Sequence, residues 1–162
     1  MRNAILYTID HWEGGLTDDP ADAGGLTNFG ISHRAYPTLD IANLTKEEAV
    51  NIYARDYWQA VNIDLLPESL RWKVFDMGVN MYPTRAVVML QNAVGAVPDG
   101  RIGPDTVKAI QVVGEGETLS RLIEAQVTRY VNIIVANPSQ LKFLKGWVRR
   151  AFDKGAQKES MP

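Results

Sequence analysis

Apolar positions repeat with helical spacing over most of this chain. Ile5, Ile9 and Trp12 fall at i, i+4 and i+7, which predicts a short first helix. Gly14-Gly15 is expected to end it through the left-handed stop conformation that glycine adopts easily. From 14 to 32 the period disappears. Asp18-Asp19-Pro20, Gly24-Gly25 and Gly30 predict turns and one small hairpin there. Thr45 with Glu48 reads as a capping box, ahead of a buried face of Ala49, Ile52, Tyr53 and Tyr57. Leu70, Val74, Met77 and Met81 mark another helix, which Pro83 stops. Thr84 is placed to cap the next, with Val87, Leu90 and Val94 on one side. Val97-Pro98-Asp99-Gly100 predicts a turn, and Gly103-Pro104 a helix start. The longest apolar register runs from Thr118 to Ala136, through Leu119, Leu122, Ile123, Gln126, Val127, Tyr130 and Ile134. Asn137-Pro138 breaks it. Ser139 is expected to cap a last helix with Leu144, Trp147, Val148 and Ala151, and Lys154 to Pro162 reads as a frayed end. The fold class is therefore mainly α, with a small β or irregular element near residues 15–32.

Composition narrows the possibilities. With 162 residues and 46% hydrophobic positions, the chain suits one domain, or one domain with a small helical extension, and can bury a core without staples. Lys plus Arg is 17 and Asp plus Glu is 19, so the net charge is −2, which opposes general binding to nucleic acid. The absence of cysteine excludes disulfides, thiolate metal sites and a cysteine nucleophile. No apolar run approaches the roughly twenty residues of a membrane span. Met1 to Trp12 lacks the pattern of a cleaved signal peptide. Action outside the cytoplasm would then depend on some other route of export or release. The charge is uneven along the chain. Residues 1–30 hold five acids and one base, Arg2, while residues 142–158 hold six bases and one acid, Asp153. The simpler reading of the basic stretch is a solvated helix face. The sharper one has Lys142, Lys145, Arg149 and Arg150 touching an anionic polymer or envelope.

The candidate chemistry lies between His11 and Ile31. Glu13 is expected in the last turn of the first helix, at the negative end of its dipole, where a carboxylate is disfavoured and its pKa should rise. Apolar neighbours such as Trp12 would add desolvation. A carboxyl that keeps its proton near neutral pH can protonate a leaving group, a pattern for which lysozyme is the worked case. Asp22 and Thr27 could face Glu13 across a cleft and handle a water. The plainer alternative is a solvated helix end followed by turn residues. His11 and His33 have no metal-site spacing, and Asp18, Asp19 and Asp22 lack the alternation of a calcium loop, so no metal is expected. Phosphate-loop and serine-elbow motifs are absent.

Glu13-Gly14-Gly15, then Asp18-Asp19-Pro20 with Asp22, then Gly24-Gly25-Leu26-Thr27-Asn28-Phe29-Gly30-Ile31 resembles the N-terminal signature of glycoside hydrolase family 108. These are lysozyme-like N-acetylmuramidases of phages and of bacterial secretion systems. The outline is also similar to phage-type lysozymes: Glu-Gly, an Asp nine positions on, and a Thr shortly before Gly-Ile. Here Thr27 follows Asp22 by five, one fewer than in the phage-type pattern. Arg85, Leu90-Gln91 and Val97 to Thr106 resemble the peptidoglycan-binding module found with this family. So do Asn137 to Gln140, Phe143 and Gly146 to Arg150, though most of these residues also read as helix packing and turn chemistry.

The resemblance implies a lysozyme-like catalytic region over 1–83, a helical peptidoglycan-binding-like region over 84–153 packed on it, and a tail over 154–162. It implies hydrolysis of the β-1,4 bond between N-acetylmuramic acid and N-acetylglucosamine, with Glu13 as the acid and no cofactor. Asp22 is assigned to stabilising charge or activating water, with Asp18 and Asp19 as alternatives, and Thr27 to orienting the water. Tyr57 and Asn80 are assigned to glycan binding; Trp58 could bind glycan or lie in the core, and Asn80 could instead cap its helix. The implied partner is the peptidoglycan glycan strand, met by a monomer in the periplasm or cell wall after holin-type release or dedicated export. A lytic transglycosylase and a silent wall-binding or secretion accessory module are the competing readings.

Overall fold

The computed structural model describes residues 1–18 and 25–155. The chain divides into two compact units, Met1–Asp56 and Tyr57–Pro162. The elements are mainly helical, with one two-stranded sheet among the described residues.

In the first unit, α1 (Arg2–His11) buries Ile5, Thr8 and Ile9 and packs on α2 (Lys46–Tyr53). The predicted capping box opens α2. The Glu48 amide donates to the Thr45 hydroxyl at 3.2 Å, and Glu48 Oε2 accepts from the Thr45 amide at 2.8 Å. Arg2 forks onto Glu47 at 2.6 and 2.7 Å, and Lys46 pairs with Asp10. These pairs are exposed, so Ile5, Ile9, Ala49 and Ile52 matter more to the contact than the charges do. Past Tyr53 the helix widens into a π turn, Ala54–Trp58, along which the chain passes from the first unit to the second. The hairpin pairs β1 (Thr27–Asn28) with β2 (Ile31–Ser32) antiparallel, Thr27 opposite Ser32 and Asn28 opposite Ile31. Thr17 joins its edge, exchanging backbone bonds with Thr27 at 2.8 and 2.9 Å.

The second unit is a helical bundle of α3 (Glu68–Met81), α4 (Pro83–Val94), α5 (Pro104–Val113), α6 (Glu115–Ala136) and α7 (Leu144–Ala151). All four apolar positions predicted for α3 are buried, and from Trp72 to Gly78 the helix is buried all round, as a central helix must be. That places Lys73 and Asp76 inside. Arg150 of α7 meets Asp76 at 2.9 to 3.1 Å, and Lys73 Nζ donates to the Ala151 carbonyl at 2.5 Å. Burial pushes the Lys73 ammonium down to about 8. Burial raises the Asp76 carboxyl while the Arg150 charge opposes the rise. Arg150 is thus an internal partner of α3, not part of a basic surface.

Several predicted boundaries shift. α4 starts at Pro83 with Tyr82 (φ 76) as its N-cap. Thr84 caps nothing; its methyl lies 2.5 Å from where a Cβ on Gly100 would sit. α6 begins at Glu115, and its fully buried positions are Thr118, Leu122, Gln126 and Tyr130, while Ile123, Val127 and Ile134 are half-buried. Asn137, not Ser139, is the cap after the break. Its side chain accepts from the Ser139 amide at 3.2 Å and hydroxyl at 2.7 Å to start a 3-10 turn, Pro138–Phe143, ahead of α7. Of the expected frayed end, Lys154 and Gly155 are described, and residues 156–162 lie outside the described residues.

Candidate active site

α1 ends at His11, two residues earlier than a stop at Gly14-Gly15 would put it. The Thr8 carbonyl accepts from the amides of both Trp12 (2.9 Å) and Glu13 (3.3 Å), so the last turn widens and the chain leaves it. Neither Gly14 nor Gly15 has a positive φ. Glu13 therefore lies just beyond the helix instead of in its last turn, still beside the negative pole of α1. Its side chain and that of Trp12 are half-buried.

The hairpin tip completes the surroundings of Glu13. Phe29 (φ 51) and Gly30 (φ 77) are both left-handed, the two-residue turn whose twist matches the strands. A Cβ on Gly30 would lie 2.5 Å from Glu13 Oε2 and 2.5 Å from the Tyr53 hydroxyl. Glycine is needed there for both conformation and space, because an acid and a phenol crowd the same point of backbone. Tyr53 is 1% exposed, and its hydroxyl donates to the Phe29 carbonyl at 2.9 Å. Asn28 donates to the carbonyls of Ile41 (3.2 Å) and Leu44 (3.3 Å), fixing the hairpin to the loop before α2. Gly30 and Tyr53 were not singled out from sequence as site residues. A two-residue left-handed turn in Asn28-Phe29-Gly30-Ile31 was the available signal for Gly30; Tyr53 had only its place on the buried face of α2.

Thr27 is half-buried on β1, and its hydroxyl donates to the Gly25 carbonyl at 3.0 Å. With its proton so placed, the hydroxyl oxygen can accept from a water. Asp22 and Asp19 lie outside the described residues, and Asp18 is exposed. His11 is exposed, with Nδ1 2.9 Å from the Tyr7 carbonyl and its ring stacked on Tyr7. His33 is also exposed. Among the described residues no cluster of three or more His, Cys, Asp or Glu could hold a metal ion, and no helix is long and apolar enough to cross a membrane.

Tyr57 and Asn80 belong to the second unit. Tyr57 is half-buried in the π turn. Asn80 is half-buried on α3, and its Oδ1 accepts from the Tyr130 hydroxyl at 2.9 Å, which in turn accepts from Gln126 at 2.7 Å. Part of the Asn80 amide is thus spent on joining α3 to α6. Trp58 is core: it is 1% exposed, its indole donates to Asp64 at 2.9 Å, and its ring lies 5.5 Å from Phe75.

Gln91, buried on α4, explains the Val97 to Thr106 pattern. Its amide nitrogen donates to Asp99 (2.7 Å), the Arg101 carbonyl (2.9 Å) and Thr106 (3.2 Å), and its oxygen accepts from the Gly100 amide at 2.9 Å. The Arg101 amide and then Gln91 hold the Asp99 carboxyl below the usual carboxylate range. These residues shape a loop and lead into α5.

Residues 6–81 match the family model described as glycosyl hydrolase 108, and residues 85–152 match one described as a predicted peptidoglycan domain. The chain is similar to the solved structure of SagA from Brucella abortus, at 30% identity over 93% of this chain and 91% of that one, with a TM-score of 0.76. No curated protein matches it.

Proposed function

The chain belongs to the glycosyl hydrolase 108 family, with a peptidoglycan-binding domain and a mainly α, lysozyme-like fold, and is a glycoside hydrolase of the peptidoglycan-degrading kind; from that premise we propose that it is an N-acetylmuramidase with Glu13 as its general acid. The observation that carries this is the convergence of Glu13, the Gly30 backbone and the Tyr53 phenol at the hairpin tip. The glycine leaves the acid and the phenol room beside bare backbone.

In the proposed reaction the Glu13 carboxyl gives its proton to the bridging oxygen between N-acetylmuramic acid and N-acetylglucosamine. The bond from C1 to that oxygen breaks, and water adds to C1. Asp22 takes the water's proton or shields the cationic ring, and Thr27 accepts a hydrogen bond from the water. Tyr57 and Asn80 serve as glycan contacts. The substrate places this chemistry in the periplasm or cell wall, reached by holin-type release or dedicated export.

The test is digestion of purified Gram-negative sacculi by wild type and Glu13→Gln, read by mass spectrometry of the soluble products. Reducing muropeptides from wild type, with a loss of about 10³-fold in the variant, are expected. Anhydromuramic ends would make the protein a lytic transglycosylase. Full activity in the variant would remove Glu13 from the mechanism, and binding without any products would make the chain a wall-binding accessory.

A further inference from the structure

α4 and α6 line an open groove of about 840 Å³, within the usual range for small-ligand sites. Its lining carries Arg85, Arg121 and Arg129 against one acid, Glu124. Arg121 is committed: it pairs with Glu117 at 2.8 Å and donates to the Ala93 carbonyl at 3.0 Å. Arg85 and Arg129 are in a different position. Among the described residues neither makes an ion pair or a hydrogen bond; Arg85 only approaches the Tyr82 ring, 6.0 Å from its centroid. Burial and then the charge of Arg85 push the Arg129 guanidinium below its ordinary range. Two guanidiniums that repel one another across a groove, with no acid paired to either, are arranged to be neutralised from outside.

The rest of the lining says by what. A guanidinium presents a planar fork matched to a carboxylate. Asn92 and Asn132 add neutral donors, and Met89 and Ile133 supply an apolar floor. Carboxylates spaced along a short chain with small apolar side groups fit this better than a bare ion or an uncharged sugar. In peptidoglycan that description belongs to the stem peptide, which carries free carboxylates and alanine methyls. We propose that the groove between α4 and α6 binds the stem peptide of peptidoglycan, its carboxylates held by Arg85 and Arg129. The inference rests on peptidoglycan being the substrate, and it assigns to the second unit a peptide site separate from the glycan chemistry at Glu13.

The test titrates the full chain with a free stem tetrapeptide (L-Ala, γ-D-Glu, meso-diaminopimelate, D-Ala), followed by NMR shifts. The same titration is run with the carboxyl-amidated peptide and with glycan strands stripped of peptide. Arg85→Gln, Arg129→Gln and the charge-conserving Arg129→Lys are compared, each checked for native helix content and melting temperature. Saturable shifts with the tetrapeptide are expected in wild type. Affinity should fall about tenfold or more in either Gln variant and with the amidated peptide, and less in Arg129→Lys. No saturable binding in wild type, equal affinity for the amidated peptide, or unchanged affinity in folded Gln variants would overturn the proposal. So would stripped glycan strands binding in an Arg129-dependent way. Sacculus digestion run alongside separates the two readings: normal digestion without peptide binding removes only the groove, and peptide binding without digestion removes only the muramidase.

Discussion

The two units solve different problems. Met1–Asp56 is built from short helices, strands of two residues and loops, fastened by single hydrogen bonds such as Tyr53 to Phe29 and Asn28 to Ile41. Tyr57–Pro162 is a bundle around α3, with a buried ion pair at its centre. The acid assigned to the chemistry sits in the first. Its setting depends on backbone that a helix cannot supply: a left-handed Phe29, and a Gly30 with no room for a side chain. The bundle contributes a surface and stability. If that contrast holds, substitutions in the bundle should be read mainly in unfolding and those at the hairpin tip mainly in turnover.

The largest effect should come from Arg150→Ala. It strands Asp76, which is 0% exposed, without its partner. Breaking a buried pair on one side costs about 3–5 kcal/mol. Urea denaturation followed by helix signal measures it, and adding Asp76→Ala should recover part of the loss. A variant within about 1 kcal/mol of wild type would mean that water reaches the pair, and the bundle would lose its claim to be the dry half.

Gly30→Ala should separate the units the other way. Its methyl must displace the Glu13 carboxyl or the Tyr53 phenol, and its φ of 77 is unfavourable for alanine. Misplacing a reacting group by about 1 Å costs about 10²-fold in rate, and strain at one such residue costs about 1–3 kcal/mol. Turnover on sacculi should therefore fall about a hundredfold, while urea denaturation shows a stability loss of about 1–3 kcal/mol, smaller than that of Arg150→Ala. Full turnover in the alanine variant would detach Glu13 from the tip and break the comparison.

Local patterns are legible in both units. The period of Leu70, Val74, Met77 and Met81 fixes α3 because each lies on its buried surface. The reciprocal bonds between Thr45 and Glu48 are local, so a three-residue spacing announces them. What sequence missed depends on residues far apart in the chain. Arg150 looked like one of several surface bases because its partner lies 74 residues away. The end of α1 is a local exception: Gly14-Gly15 reads as a helix stop, yet the Thr8 carbonyl ends the helix by accepting amides four and five residues on, a geometry that the residue types there do not announce. Glu13 was recognisable from its motif, but its neighbours Gly30 and Tyr53 come from a hairpin and a helix that only the fold brings together.

The smallest effect is also the most specific to the bundle interior. Lys73 is 2% exposed, and its ammonium titrates at about 8 instead of 10.5, burial being the first cause. Between about pH 8 and 10.5 the unfolded chain then binds more protons than the folded one, so this lysine's contribution to stability rises with pH. That contribution is fully present above the unfolded value and lost as pH falls through the folded one. At about pH 7 the buried charge costs about 3 kcal/mol. Lys73→Met removes that cost but leaves the Ala151 carbonyl without its donor, a loss of about 1–3 kcal/mol. The two offset near neutrality, leaving the variant about 0–2 kcal/mol more stable. As pH rises the wild-type lysine sheds its charge and keeps its hydrogen bond, so the advantage should shrink and then reverse before 10.5. Urea midpoints for both proteins across that range would show the crossing. Parallel curves would mean that Lys73 titrates normally and that α3 is wetter than its burial suggests, which would narrow the contrast between the two units from the bundle's side.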